Sequence, residues 1–135
     1  MGVIFKTVRL RGSKGEREVR ALFDSGASMS FIREGLAREL GMIEPLPDPL
    51  RFETAKAGEE LVVDRRVVLD FYLDGDRLSD EFLVVSDDWA TEEVIVGAST
   101  FQKWRLVPDF EREEVYSARP VKKHMLKRRK NSPRI

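Results

Sequence analysis

A chain of 135 residues, 41% of them apolar, has enough material for one domain with a modest core. It has no cysteine and one histidine, His124. That excludes disulfides, thiolate metal sites, a cysteine nucleophile, and any serine–histidine or multi-histidine centre, so an enzyme built on this chain would run on carboxylates. Its 24 basic and 24 acidic side chains cancel, but unevenly: residues 117–135 hold eight Lys or Arg and no acid, leaving 16 basic against 24 acidic residues, a net of −8, in residues 1–116.

The N-terminus lacks the long apolar segment of a signal peptide, and Lys6 stands where a myristoylation signal needs Ser or Thr. No apolar run approaches the length that spans a bilayer, so a cytoplasmic protein with no membrane partner is expected. Val3 to Leu10 is rich in β-branched and apolar residues and predicts a strand; Arg11 to Glu16 predicts a hairpin turn, and Glu18 to Phe23 the return strand. This strand delivers Asp24, followed by Ser25, Gly26, Ala27 and Ser28. A carboxylate there would sit at a strand mouth, partly desolvated and held by backbone N–H groups of the turn, as an acid or base requires. Asp-Ser-Gly is equally an ordinary turn in which the Asp bonds its own backbone.

The spacing of Ile32, Leu36 and Leu40 predicts a helix over residues 30–40, capped by Ser28 or Ser30 and stopped at Gly41. Pro45, Pro47 and Pro49 predict an extended loop without regular structure. Leu50 to Thr54 and Leu61 to Asp64 bracket Ala55, Lys56, Ala57, Gly58 and Glu59, a hairpin with a small, Gly-containing tip. Val67 to Leu73 and Phe82 to Val85 predict further strands, with a turn at Asp74-Gly75-Asp76. The acids Asp74, Asp76, Asp80, Asp87 and Asp88 lack EF-hand spacing and predict a solvated loop rather than a calcium site. Trp89 and Trp104 are expected in core or interface packing. Val94-Ile95-Val96 predicts a short strand ending at Gly97, with a short helix from Ala98 to Phe101. The segment from Ser117 onward has the composition of a disordered arm, either a solvated tail or an arm for nucleic acid. No aromatic residue interleaves its charges after Tyr116, as a base-stacking platform would need.

Leu22-Phe23-Asp24-Ser25-Gly26-Ala27-Ser28 together with Val94-Ile95-Val96-Gly97 resembles the retropepsins, the retroviral-type aspartic proteases. The Ser30-Phe31-Ile32 to Leu40-Gly41 phrase after the motif is similar to that of cellular and bacterial members, and Arg105 to Phe110 resembles the family's segment in which a strand begins with Asp-Phe. The resemblance covers roughly residues 3–112. It implies an all-β fold with one or two short helices, a retropepsin-like half-barrel with one lobe per chain, and an active site at the twofold axis of a homodimer. Residues 1–116 would be the protease domain and 117–135 a basic tail.

The implied function is aspartic endopeptidase activity, without cofactor or metal, on a peptide or protein substrate. A single Asp-Ser-Gly motif implies that the Asp24 carboxylates of two protomers meet and activate a water. In the same resemblance Ser25 braces the two loops, Gly26 orients the carboxylate, Ala27 leaves room for substrate backbone, and Gly97 packs behind the Asp24 loop. Ala55, Lys56, Ala57 and Gly58 take the place of the flap, or form a plain hairpin tip. Ala98 stands where viral members carry an arginine that braces the dimer. The alternative reading is a non-catalytic dimeric module of the same fold that binds extended peptides.

Overall fold

The computed structural model describes residues 2–54, 56–89 and 91–118. The basic segment predicted as a disordered arm lies, from residue 119 onward, outside the described residues. Nine strands and two short helices follow one another as β1 (Val3–Arg11), β2 (Glu16–Asp24), β3 (Phe31–Arg33), α1 (Glu34–Leu40), β4 (Glu44–Glu53), β5 (Glu60–Leu73), β6 (Asp76–Val85), β7 (Val94–Val96), α2 (Ala98–Trp104), β8 (Leu106–Asp109) and β9 (Glu114–Ser117). The fold is mainly β, as expected.

β1 and β2 pair antiparallel along nine residues each. The sheet then runs β1-β2-β7-β3-β6-β5-β4, and Arg9–Arg11 of β1 pair back onto Asp70–Tyr72 of β5. That last pairing closes a six-stranded barrel and leaves β4 outside it, hydrogen-bonded only to β5. Ile4, Val8, Phe23, Leu69, Phe71 and Phe82 fill the interior, all almost fully buried. Because successive strand residues point to opposite faces, three strands serve two cores. Ile32, Val84, Val94 and Val96 face the barrel interior. Phe31, Leu83, Val85 and Ile95 face outward, where the β4–β5 hairpin covers them with Leu50, Phe52, Leu61 and Val63.

The predicted helix over 30–40 is shorter. Its first turn is β3, pairing parallel with β6 and antiparallel with β7. Ile32, Leu36 and Leu40 do share one core, which is why their spacing imitates a continuous helix, but two sheet neighbours claim Phe31–Arg33. Neither Ser28 nor Ser30 caps α1; the cap position is Arg33, whose side chain makes no capping hydrogen bond, and the Gly35 N–H donates instead to Asp87 Oδ1 at 2.8 Å. The proline segment is the outer strand β4, whose register breaks between Pro45 and Leu50. An edge strand tolerates proline because its outward N–H groups need no ladder partner. β5 is continuous through Asp64-Arg65-Arg66, since Arg65 pairs with Glu34 and Arg66 with Glu44 and Glu81. β6 begins at Asp76 rather than at Phe82, as its polar first half pairs with β5. β8 ends at Asp109, so the expected start of a strand at Asp-Phe is a strand end, and Phe110 sits in a turn.

Glu34 links α1 to the barrel. Hydrogen bonds from Arg65 and Arg38 hold its carboxyl at about 2, well below the usual 4.5. A depressed carboxylate contributes stability that is complete above the unfolded-state value and is lost as the pH falls through the folded-state value. Thermal unfolding of Glu34→Gln is therefore expected to lie below wild type at neutral pH, with the two curves converging between about pH 4.5 and about pH 2. Parallel melting curves over that range would remove this assignment.

Candidate active site

Phe23 is anchored in the core and Asp24 ends β2, so the chain must turn where the carboxylate emerges. The Gly26 N–H donates to Asp24 Oδ1 at 2.9 Å, and the Ala27 N–H to the Asp24 carbonyl at 3.1 Å. The carboxylate is half-buried, while Ser25 and Gly26 lie exposed on the turn.

What holds the turn comes from 70 residues downstream. β7 inserts between β2 and β3, parallel to the first and antiparallel to the second. Gly97 follows it and lies against the main chain of the turn. A Cβ at Gly97 would overlap the Met29 carbonyl and come within 2.8 Å of the Ala27 oxygen. The Ala98 N–H donates to Ala27 O at 2.7 Å and the Ser99 N–H to Ser28 O at 3.1 Å. Gly97 N–H donates to Ser30 Oγ at 2.9 Å. Ser30 Oγ lies 2.6 Å from Thr100 Oγ1, which donates to Asp80 Oδ2 at 2.7 Å. Since Thr100 spends its proton on Asp80, Ser30 donates to Thr100, and the chain runs in one direction from Gly97 to Asp80. Both hydroxyl residues are buried.

In front of the turn is a groove of about 370 Å³. Asp24, Gly26, Ala27 and Ser28 form one wall. Phe31 and Ile95 form the apolar floor, and the β4–β5 hairpin closes the other side with Phe52, Glu53, Thr54 and Leu61. Phe31 and Phe52 meet edge to face, 5.3 Å between centroids. Trp89 completes the lining; it is 41% exposed, so the expected core role holds only for Trp104, whose indole N–H donates to the Ser79 carbonyl.

The structure brings Asp24, Gly26 and Ala27 to the groove and places Gly97 behind their turn. Lys56, Ala57 and Gly58 lie at the hairpin tip and, with Glu59 and Glu60, line an adjoining hollow that shares Glu53 and Thr54 with the groove; Ala55 lies outside the described residues. Gly58, at φ +80°, supplies the left-handed position of that tip. The expected solvated acidic loop is divided among tasks: Asp74 pairs with Lys6, Asp80 ends the buried hydroxyl chain, and Asp87 caps α1. Among the described residues no group of three or more His, Asp or Glu is arranged to hold a metal. Sequence reasoning missed Phe31, Phe52, Glu53, Leu61, Trp89 and Ile95, whose meeting depends on the sheet order. It also missed Ser30 and Thr100 as a pair, although each is a hydroxyl inside an apolar run.

A family model described as aspartyl protease matches residues 7–100, a span that includes both the Asp24 turn and Gly97. The chain belongs to this aspartyl protease family. Its half-barrel architecture is similar to the retroviral protease-like domain of Ddi1 from Leishmania major, with a TM-score of 0.61 at 17% identity, covering 87% of this chain and 90% of that one. EIAV protease complexed with the inhibitor HBY-793 matches at a TM-score of 0.49 and 15% identity, over 73% of this chain and 85% of that one. Simian foamy virus (mac) protease matches at 0.46 and 17%, over 77% and 100%. No curated protein matches in sequence. No helix among the described residues of this aspartyl protease family member is long and apolar enough to cross a membrane.

Gly97→Ala must push main chain against main chain, and Ser30→Ala strands the Gly97 N–H in the interior. Each is expected to lower unfolding stability by about 1–3 kcal/mol in urea denaturation. A Gly97→Ala protein as stable as wild type would contradict the close approach.

Proposed function

We propose that this chain is an aspartic endopeptidase that acts as a homodimer, with the Asp24 carboxylate of each protomer at the twofold axis. The observation that carries this reading is the position of Asp24: half-buried, held by the Gly26 N–H, at the wall of an apolar groove. Two carboxylates in contact share one proton. The ionised member takes a proton from the attacking water while the protonated member hydrogen-bonds to the scissile carbonyl. As the peptide bond breaks, the tetrahedral carbon collapses and the departing amine takes up a proton from the pair.

In this reading Ser25, exposed on the turn, braces the two protomers, and Ala27 leaves room for the substrate backbone. Gly97 keeps the turn in place, and the hairpin tip at Ala55, Lys56, Ala57 and Gly58 acts as the flap. The unit is residues 1–116, with 117–135 as a basic tail whose first residue, Ser117, still pairs in β9 with Leu106. α1 following the motif supports a place among cellular and bacterial members, and the absence of cysteine supports action in the cytoplasm.

Wild type and Asp24→Asn would be offered a diverse mixture of unstructured peptides from acid to neutral pH. The expected result is cleavage by wild type that falls by about 10²–10⁴-fold in Asp24→Asn. The rate should rise more steeply than first order in protein at low concentration, and the pH profile should be bell-shaped. No cleavage by a wild-type protein shown to be dimeric by sedimentation would replace this reading with a peptide-binding module of the same fold.

A further inference from the structure

The groove has an electrical character that peptide hydrolysis does not require. Among the described residues two carboxylates line it, Asp24 and Glu53, and no Lys or Arg does. Glu53 stands directly across the β4–β5 ladder from Glu60. Like charges directly opposite repel. The local cations are already engaged: Arg51 Nη1 lies 2.7 Å from Glu60, and Lys56 Nζ lies 3.9 Å from Glu59. Among the described residues Glu53 has neither an ion pair nor a side-chain hydrogen bond. Glu53 is exposed on the hairpin side of the groove, whose floor is the apolar pair Phe31 and Ile95 and whose opposite wall carries Asp24.

Those walls suit one kind of side chain. Phe52 and Leu61 offer apolar surface to a methylene stem, and Trp89 offers an indole to a cation. Glu53 offers the carboxylate at its end.

We propose that this groove selects peptides in which a lysine or arginine lies beside an apolar residue, with Glu53 as the carboxylate that receives the cation. The proposal rests on reading the groove as the peptide site, and its test is a binding measurement so that it stands apart from turnover.

Fluorescent decapeptides of unstructured sequence, each with one Phe, would carry a single Lys walked through the positions flanking it. Each would be matched by a control with norleucine, which keeps the stem and removes the charge. Affinities would be measured by anisotropy on the full chain carrying Asp24→Asn, which prevents cleavage, with and without Glu53→Gln or Glu53→Lys. At one position at least, Lys is expected to bind about 10-fold more tightly than norleucine at low salt. The preference should shrink as salt is added. Glu53→Gln should bring the ratio within about twofold, and Glu53→Lys should invert it, while both variants keep the melting temperature of the parent.

A ratio within twofold at every position in the Asp24→Asn parent, or a preference that survives Glu53→Gln, would overturn the proposal. Lysine selectivity in a protein that cleaves no peptide would leave Glu53's role standing and sink the peptidase reading. Cleavage without lysine selectivity would do the reverse.

Discussion

The close contact between Gly97 and the main chain of the Asp24 turn is the constraint on which the rest of the site depends. Three N–H groups from residues 97–99 reach across to Ser30 Oγ, Ala27 O and Ser28 O. A side chain on Gly97 would occupy the space of the Met29 carbonyl. The turn is thus held by backbone from a distant segment as well as by the Asp24 carboxylate on the Gly26 N–H, so the position of Asp24 depends little on what Ser25 and Ser28 do at the surface. A polar backbone group buried at the end of a strand needs a partner. Here Ser30 accepts it, and the proton order continues through Thr100 to Asp80. No described buried side-chain polar atom lacks a hydrogen-bond partner.

The second organising feature is that β3, β7 and the second half of β6, Phe82–Val85, have no solvent face. One side fills the barrel and the other forms the floor under the β4–β5 hairpin. The same three strands that stabilise the fold therefore build the groove, and packing between Phe31 and Phe52 couples the hairpin to the floor. Ion pairs then fasten peripheral pieces to the barrel: Glu34 joins α1 to β5, and Lys6 joins β1 to Glu114 of β9 and to Asp74. Burial opposes the Lys6 charge, yet the carboxylates beside it raise its affinity for a proton, so this link stays charged through neutral pH. That arrangement leaves the groove's carboxylates without such partners, which is the basis for assigning it basic peptides.

Local patterns in the chain were enough to determine the strands at both ends of the first hairpin, the turn at Asp74-Gly75, the short β7 and the helix after Gly97. Alternation and turn residues act over a few positions, so such elements need no tertiary knowledge. The Asp24 turn and Gly97 were also legible, because each joins an apolar strand to small residues. The places where local pattern misled have one cause. Phe31–Arg33 became strand because β6 and β7 flank it; the prolines of β4 were admitted because it is an edge; Asp80 left solvent because Thr100 was waiting for an acceptor, whereas Asp87 stays exposed while accepting from the Gly35 N–H.

The sequence by itself thus determined most element types, though not those of Phe31–Arg33 and the proline segment, together with the acidic character of residues 1–116 and the motif carrying Asp24. Only the tertiary structure decided which residues meet: Gly97 against Met29, Ser30 with Thr100, and the groove that joins Asp24 to Glu53 and Trp89. The reason is the order of strands in the sheet. β7 slots between β2 and β3, which are near neighbours in the chain, and no local propensity encodes a pairing across 70 residues.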